Sequence, residues 1–451
     1  MKRSGCGGFQ VESGRESLIS STGASLLLQT AQVSGLVSGL SRQLRPWRAA
    51  RSIHDPGKTV LDLAVAIALG GDCLADAALL RAQPEVFGSV ASDPTISRLI
   101  DALGGEPAAA VAAIRRARAA ARAVVWRHCS PVPAVGDVVV DLDATLIGAH
   151  SEKENATPNF KRGFGFHPMM AFVDHGAGGT GEPLAAMLRP GRANASDAAD
   201  QIAVLDAALA QLPEAVRERV LVRGDTGSGV KEFLWHIHHL GLSYSVGVYG
   251  RQPVLDALAA LPHQAWRHAR EPDGDVRDGA QVAELTRWLP ATFVGWPPGM
   301  RVIARRERPH PGAQLRITDS HGWRITLFAT NTTGARIADL EVRHRLRARA
   351  EDRIRTLKDT GLTNLPLQAF DKNQIWLELA ALAAELLTWT QLLAWPDQTA
   401  RSWEPKRLRL RLLAVAGRII TTSRRRILRV NKRWPWSDLL ITGQRNLAAL
   451  N

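Results

Sequence analysis

The sequence predicts an α/β protein in which a strand-rich insertion interrupts the core. Between residues 131 and 250, apolar strand patterns and amphipathic helix patterns follow one another in the order β-β-β-α-β-α-β. Strand and turn signals fill residues 251–330, and long helical patterns resume after Gly334. We therefore predict a leader at 1–55, a helical region at 56–130, a core at 131–250 and 331–400, the insertion at 251–330, and a basic C-terminal region at 401–451.

The composition is that of a globular protein with excess positive charge. The 451 residues include 57 Lys and Arg against 43 Asp and Glu, a formal net charge of +14, which favours a polyanionic partner. The three cysteines lack metal-ligand spacing and are too few for a disulfide framework, and the start has no apolar segment of signal-peptide length. We therefore expect a cytoplasmic protein. The most apolar run, Ile375–Trp395, contains two glutamates and predicts a buried helix rather than a membrane span.

The N-terminal region has helical patterns that could contact DNA. Asp93 and Pro94 supply an N-cap and a first-turn proline for one helix. The gap from Gln83 to Pro94 is longer than the ~3–4-residue turn of a helix-turn-helix motif, so plain helical packing is favoured there. The next helix, residues 108–127, carries five arginines that could lie on phosphates.

The predicted core resembles one known arrangement of strands and helices. Its first strand is a continuous apolar run, typical of a strand buried on both faces. The order of its elements is that expected of a ribonuclease-H-like core. The strands are predicted in VGDVVVDLDATLI, FHPMMAFVDH, PLAAMLRPG, RVLVRGDTGSG and LSYSVGVYG, and the helices at Ser196–Leu212 and Val230–Leu240.

The insertion and the segment after it have distinct patterns. RVIARRERP predicts a strand, and AQLRITD-SHG-WRITLFATN predicts a hairpin. A long helix is predicted from about Ile337 to Lys358, followed by the apolar helix Asn373–Trp395.

Two acids follow strands of the predicted core. Asp143, or alternatively Asp141, ends the first strand, and Asp225 follows a later parallel strand. Ligands bind at the carboxyl ends of strands in open α/β sheets, and buried acids there are costly unless a cation compensates them. A single such acid would more often cap a turn. Two on adjacent central strands favour a binding site.

A third acid lies on the long predicted helix. With Glu351 at zero and 100° per residue, His344 falls at roughly +20°, Arg347 at −40° and Lys358 at −20°. One stripe therefore combines an acid with three potential phosphate ligands, while the neighbouring arginines are expected to face solvent. Such a stripe suits a phosphodiester site that contains Mg²⁺, a cation that prefers oxygen ligands. The arginines expected to face solvent are Arg343, Arg345, Arg349 and Arg353.

These motifs together resemble one group of bacterial insertion-sequence DDE transposases. Residues His344, Arg347, Glu351 and Lys358 have the spacing of the group's Tyr-x2-Arg-x3-Glu-x6-Lys signature, with His in place of Tyr. Asp143-Ala144-Thr145 and the Gly-Asp-Thr-Gly around Asp225 resemble its other two motifs, and a β-rich insertion before the Glu also fits.

The resemblance implies a set of roles. Asp143, Asp225 and Glu351 would bind two Mg²⁺ ions, for which Mn²⁺ would substitute, and Arg347 and Lys358 would contact phosphates. His344 could stack on a base or donate to a phosphate. The implied activity is metal-dependent cleavage and strand transfer of the element's own double-stranded DNA ends into a target. The implied protein is a dimer on DNA, associated with the bacterial nucleoid and without membrane contact.

The C-terminal region carries much of the charge. Residues 401–451 contain thirteen Lys and Arg against Glu404 and Asp438. We expect this region to contact DNA phosphates, most directly through Arg424, Arg425 and Arg426. The alternative without a binding role is a solvated tail that aids solubility.

Three alternatives remain beside this interpretation. Asp141-x-Asp143 also resembles the first motif of haloacid-dehalogenase-type phosphatases, but the second acid of their later Gly-Asp-x3-Asp motif is missing after Asp225. A catalytically inactive DNA-binding relic is the second. A zinc site among the histidines is the third, and it lacks Cys or acidic partners at ligand spacing. For His167, at the start of a strand, a structural role is favoured over DNA contact.

Overall fold

The N-terminal part of the computed structural model is helical. The structure describes residues 18–176, 179–250, 252–289, 294–309, 322–422 and 425–450. Asp55 caps one helix by accepting a hydrogen bond from the Lys58 N–H at 2.8 Å, and Pro56 occupies the first helical position. The elements are β1 (Leu18–Ile19), α1 (Ala24–Val33), α2 (Leu36–Gln43), α3 (Pro56–Ala68), α4 (Ala77–Arg81), α5 (Pro84–Phe87), α6 (Asp93–Gly105) and α7 (Pro107–Cys129).

Helices α1 and α2 belong to the core of the protein. Leu26 and Leu27 of α1 and Leu36 and Leu40 of α2 have no solvent exposure. Helices α1 and α2 therefore pack as part of the fold, although the weak pattern of residues 1–55 suggested a leader. Residues 1–17 lie outside the described part.

The predicted core strands and helices form in the predicted order. Strands β7, β6 and β2 pair antiparallel, whereas β2, β8 and β9 pair parallel, which is the ribonuclease-H-like arrangement. This confirms the predicted fold class. The elements are β2 (Val138–Ala144), β3 (Ile147–Gly148), β4 (Thr157–Pro158), β5 (Phe164–Phe166), β6 (Met169–Asp174), β7 (Gly181–Met187), α8 (Ala198–Leu209), α9 (Glu214–Arg217), β8 (Val220–Gly224), α10 (Lys231–His239) and β9 (Ser243–Gly247).

The insertion extends the same sheet. It consists of α11 (Gln252–Ala259), β10 (Arg267–Arg270), β11 (Val276–Glu284), β12 (Arg301–Glu307) and β13 (Arg324–Thr330). Strand β13 pairs antiparallel with β9, so the nine strands run in the order β10-β11-β12-β13-β9-β8-β2-β6-β7. On its other edge, β13 pairs antiparallel with β12. The first half of the predicted hairpin, AQLRITD, lies outside the described residues.

The C-terminal part returns to the N-terminal helices. The predicted long helix is interrupted by a 3₁₀ turn at Leu346–Ala348, which tightens the helix between His344 and Glu351. Strand β14 pairs with both β15 and the N-terminal β1. The elements are α12 (Ile337–Arg345), α13 (Arg349–Leu357), α14 (Phe370–Ala394), α15 (Pro405–Leu408), β14 (Gly417–Thr422), β15 (Arg425–Val430) and α16 (Ser437–Ala448).

Helix α14 is the central helix of the protein. It packs against α3, α7, α1, α6, α16 and strand β7. By length and composition it could cross a membrane, but its most apolar window is completely buried inside the protein. The predicted buried helix is therefore confirmed.

Arginines of α7 are buried in an ion network with α14 and β7. Arg118 donates to Glu378 and to Glu385, each at 2.6 Å, and Arg122 donates to Glu182 at 2.7 Å and also to Glu385. All five side chains are fully buried, where charges are tolerated only when paired. The interpretation of the α7 arginines as a phosphate-binding face is therefore wrong for Arg118 and Arg122, because their partners lie inside the protein.

Glu182 is the most heavily bonded acid of this network. Its carboxylate accepts hydrogen bonds from the Trp126 indole at 2.7 Å and from the Trp389 indole at 2.9 Å, and it lies 3.1 Å from His175 Nε2. Burial opposes ionisation, but the charge of Arg122 and these hydrogen bonds outweigh it and lower the pKa of Glu182 to about 2. The side chain is therefore an ionised carboxylate at neutral pH.

Glu182→Gln should destabilise the protein, because it leaves Arg122 with less compensation inside the core. We expect a loss of about 3–5 kcal/mol in the free energy of unfolding at pH 7, measured by urea titration. The stabilisation from the ionised carboxylate is present above the unfolded pKa of about 4.3 and is lost as the pH falls toward the folded pKa. The difference between variant and wild type should therefore narrow below about pH 4.3.

The matched control is Glu404→Gln, which removes an acid from an exposed ion pair with Arg355. This change should alter the free energy of unfolding by less than about 1 kcal/mol. Equal losses of unfolding free energy in the two variants would contradict the prediction that Glu182 stabilises the core.

Candidate active site

Two acids meet where the parallel strands β2 and β8 end. Leu142 pairs with Gly224, so the next residues, Asp143 and Asp225, are neighbours across the two strands. Both line one cavity of about 110 Å³. The structure therefore brings together two of the three acids that sequence reasoning selected.

Asp143 is held in a mostly buried position. Its side chain is 13% exposed; Oδ1 accepts from the Ala144 N–H at 2.8 Å, and Oδ2 accepts from Arg347 Nη1 at 3.1 Å. Burial raises the pKa of Asp143 to about 6, the charge of Arg347 opposes this rise, and the nearby Asp225 adds to it. A second cation beside Asp143 would favour its ionised form.

Asp225 also organises the turn that follows β8. Its Oδ1 accepts from the Gly227 N–H at 2.9 Å and caps the 3₁₀ turn Thr226–Ser228. The turn approaches β8 closely, since a Cβ at Gly224 would lie 2.3 Å from Ser228 Oγ. Asp225 therefore both caps the turn and lines the cavity.

Asp141 has a different environment from Asp143. Arg223 holds its carboxylate through two hydrogen bonds of 2.6 and 2.7 Å, and the same guanidinium donates to Asp174 at 3.1 Å. A buried acid with its own arginine is a structural ion pair. This arrangement favours Asp143 as the site acid, and it argues against the phosphatase alternative, in which Asp141 would be the nucleophile.

Glu351 lies beside this cavity rather than in it. Its side chain is 69% exposed, and Oε1 is 3.6 Å from Nη2 of Arg347, the arginine that also contacts Asp143. In the described part of the chain, the three acids do not form a cluster with ligand atoms within 4.8 Å of one another. Arg347 therefore bridges Asp143 and Glu351, and the exposed Glu351 side chain has room to change its rotamer.

One group of potential ligand atoms does satisfy that distance. Asp72, Cys73 and Asp76 lie together on the surface. Asp76 accepts hydrogen bonds from the N–H groups of Asp72 at 2.8 Å and Cys73 at 3.0 Å, so its carboxylate caps the turn that leads into α4.

The other residues of the predicted helix stripe have separate positions. Lys358 Nζ donates to the Leu146 carbonyl at 3.3 Å, close to the end of β2. The His344 ring stacks on Phe328 with 4.4 Å between ring centroids, and its Nδ1 lies 3.1 Å from Ser245 Oγ. Burial lowers the pKa of His344 to about 3, so this ring is neutral at pH 7. Contact of His344 with DNA stays a prediction.

The neighbouring arginines of α12 and α13 do not simply face solvent, as the sequence interpretation expected. They tie both helices to the sheet and its insertion. The contacts are Arg343 with Asp137 at 2.9 Å, Arg345 with Glu271 at 3.0 Å, Arg349 with Asp174 at 3.1 Å, and Arg353 with the Gly179 carbonyl at 2.8 Å.

Sequence reasoning missed several residues of the cavity wall. Phe160, Gln201 and Ser228 line it together with His167. Gln201 Nε2 donates to the Gly227 carbonyl at 2.8 Å and thereby supports the turn after Asp225. His167 Nδ1 lies 2.9 Å from the Ala193 carbonyl. The only sequence signal for Phe160 was the turn-forming Asn159-Phe-Lys-Arg-Gly segment.

The basic hairpin β14–β15 divides the predicted arginines between its two faces. Arg424 lies outside the described residues. Arg426 is directed to the inner face, where Nη2 lies 3.5 Å from the Glu85 carbonyl. Arg425 shares the outer face with Arg418 and Arg429, since Arg418 pairs with Arg429 and the register alternates by two. All three outer arginines are exposed.

Comparisons with known proteins identify a family for this chain. A cryo-electron microscopy structure of the piggyBac transposase synaptic complex with hairpin DNA is similar over 87% of this chain and 79% of that chain, with 9% sequence identity and a TM-score of 0.41. A comparison with curated proteins finds no match. The family model described as transposase DDE domain group 1 matches residues 9–451. Because this match spans nearly the whole sequence, the chain belongs to the transposase DDE domain group 1 family.

Proposed function

We propose that this protein cuts DNA at the ends of its own mobile element and joins the freed ends to a target. The observation that carries the proposal is the cavity shared by Asp143 and Asp225, at the ends of two parallel strands, with Glu351 next to it across Arg347. Family membership supports the reaction class. The phosphodiester would be hydrolysed first, and the resulting 3′-hydroxyl would attack a target phosphodiester.

The donor set fits a hard divalent cation. Asp143, Asp225 and Glu351 offer carboxylate oxygens, which Mg²⁺ prefers, and Mn²⁺ accepts the same ligands. Two such ions would supply activation of the attacking oxygen and stabilisation of the leaving oxygen. Asp143 and Asp225 are fixed by strand ends and backbone hydrogen bonds, whereas Glu351 can approach from the helix.

Arg347 and Lys358 supply positive charge beside the acids. Arg347 already reaches Asp143, and Lys358 is tied to the loop that follows β2. On DNA, these two cations would hold the scissile phosphate and offset charge that develops on its oxygens. Joining two ends requires that both be held together, so we propose at least a dimer on DNA, in the cytoplasm of a bacterium.

Replacing any one of the three acids should abolish cleavage but preserve DNA binding. Asp143→Asn, Asp225→Asn and Glu351→Gln keep side-chain shape and remove the charge that holds the cation. We expect at least ~100-fold slower cleavage for each. The assay is metal-dependent cleavage of a labelled duplex taken from the inverted repeats that flank the gene, beside an anisotropy titration at fixed salt.

Asp352→Asn is the matched control, because Asp352 is adjacent to Glu351 and pairs with the exposed Arg355. Its cleavage rate should stay close to that of the wild type. Normal cleavage by the Glu351 variant would remove this residue from the site.

Arg347→Ala should slow cleavage more than it weakens binding. The guanidinium lies between two site acids, where its loss removes charge from the reacting phosphate. We expect ~100-fold slower single-turnover cleavage with little change in affinity. Arg355→Ala on α13, the helix that follows Arg347, is the control, since Arg355 is exposed and pairs with Asp352 and Glu404. Equal effects of the two substitutions would contradict the role of Arg347.

The outer face of the hairpin should bind DNA phosphates without sequence preference. The test is a triple variant in which Gln replaces Arg418, Arg425 and Arg429. Its plot of log K for DNA binding against log salt concentration should be less steep by about 0.9 for each phosphate that the variant no longer neutralises. Arg42, Arg45 and Arg48 replaced by Gln form a control of equal charge, drawn from exposed residues near the end of α2. An unchanged slope in the hairpin variant, or equal flattening in both variants, would refute this interface.

A further inference from the structure

An exposed phenyl ring stands at the edge of the catalytic cavity. Phe160 lines the cavity that contains Asp143 and Asp225, yet its side chain is 71% exposed. The ring lies 5.8 Å from the His167 ring, at an angle of 57°. A large aromatic side chain that faces solvent beside a reaction site is available to stack on a ligand.

The turn that carries Phe160 is held by its own hydrogen bonds. Asn159 Oδ1 accepts from the N–H groups of Lys161 at 3.0 Å and Gly163 at 3.1 Å. The backbone adds bonds from the Asn159 N–H to the Gly163 carbonyl at 2.8 Å and from the Arg162 N–H to the Asn159 carbonyl at 3.0 Å. Arg162 has a φ of 60°, which a non-glycine residue rarely adopts. The turn is therefore an ordered structure with a defined direction.

A small sheet fixes this turn above the cavity. Strand β5 pairs with both β3 and β4, so the turn connects two paired strands. The Gly191 N–H donates to the Gly165 carbonyl at 3.0 Å, which joins the sheet to the segment after β7. Gly165 permits this packing, because a Cβ there would lie 2.1 Å from the Ile147 carbonyl oxygen and its φ is +151°. Phe160 is thus presented by a rigid support.

Positively charged residues follow Phe160 in the turn. Lys161 Nζ lies 5.8 Å from the centre of the Phe160 ring, and both Lys161 and Arg162 are exposed. Burial lowers the pKa of Lys358, and the charge of Lys161 lowers it further, so these two lysines lie within electrostatic reach of each other beside the site. An aromatic ring beside cations is the combination that binds a nucleobase together with its phosphates.

We propose that Phe160 stacks on a nucleobase next to the scissile phosphate, while Lys161 and Arg162 contact the phosphates on either side. This inference rests on the proposed function and adds a DNA contact that neither the catalytic acids nor the basic hairpin provides. Inserted apolar side chains unstack neighbouring bases, and every base has a face on which a ring can stack. The contact therefore holds the strand at the cleavage point with little sequence preference.

The test uses 2-aminopurine, a base whose fluorescence rises when it is unstacked from its neighbours and falls when it stacks on a ring. The probe replaces single bases on each side of the cleavage point in a duplex from the element's end. Binding is followed without divalent metal, so that the DNA stays uncut. We expect the full-length wild type to change the fluorescence at one or two positions. Phe160→Ala should lose that change and bind about tenfold more weakly.

Further variants separate stacking from simple bulk. Phe160→Trp and Phe160→Tyr should keep the fluorescence change, whereas Phe160→Leu, which fills similar space without a ring, should lose most of it. Phe164→Ala is the matched control, since Phe164 is 38% exposed on β5 and is not among the residues that line the cavity. It should behave as the wild type does.

The outcomes distinguish this inference from the function on which it rests. Suppose that the wild type cuts the element's end, and that Phe160→Ala and Phe160→Leu give the same fluorescence change as the wild type. That result would overturn the stacking role alone. A wild type that neither binds nor cuts the element's end would overturn the proposed function and the stacking role together.

Discussion

The buried ion network between α7, α14 and β7 determines how the N-terminal helices join the nine-stranded sheet. Arg118 and Arg122 lie one turn apart on α7, and each reaches glutamates on other elements. Removing any one partner leaves a charge inside the core, so these pairs permit one register of α7 on α14. Since α14 also contacts α1, α3, α6 and α16, this register positions the whole helical region. The helices and the sheet therefore share a single core.

A second set of ion pairs positions the candidate site at the ends of β2 and β8. Arg223 connects Asp141 to Asp174, and it also donates to the Arg343 carbonyl at 3.0 Å, which joins β8 to α12. Together with the Arg347–Asp143 pair, these contacts place the 3₁₀ turn that contains Arg347, and the helix α13 that contains Glu351, next to the end of β2. The same pairs separate two otherwise similar acids, because Asp141 is held by two hydrogen bonds from the buried Arg223, whereas Asp143 shares Arg347 with an exposed glutamate.

Patterns within one segment of the sequence predicted the elements of the fold well. Contacts between distant segments could not be predicted in this way. Apolar runs and turn residues predicted the core strands and their order, and acids at strand ends predicted that Asp143 and Asp225 would meet. The arginines of α7 were misread because a basic helix face looks the same whether its partners are phosphates or buried acids. Here the partner of Arg118, Glu378, lies 260 residues further along the chain.

Helical geometry explains a second group of differences between the predicted and the observed structure. A wheel of 100° per residue assumes one continuous helix, but the 3₁₀ turn at Leu346–Ala348 rotates more per residue and shifts His344 relative to Glu351. His344 then stacks on Phe328 of the insertion strand β13, a contact that no short-range pattern encodes. Phe160 escaped sequence analysis for a related reason. An exposed aromatic residue in a turn becomes informative only when the fold sets it beside a cavity.

The site thus has a rigid buried half and an exposed half. Asp143 and Asp225 are held by strand ends and backbone N–H groups, and the nearby ion pairs leave them little freedom. Glu351, Phe160, Lys161 and Arg162 are exposed to solvent. If DNA binds at this site as proposed, the scissile phosphate meets fixed acids, while the neighbouring base and the flanking phosphates meet exposed side chains. Because the exposed Glu351 side chain has room to move whereas Asp143 and Asp225 are held in place, closure on DNA would come from Glu351 rather than from the sheet, and part of the free energy of binding would be used to order that side chain.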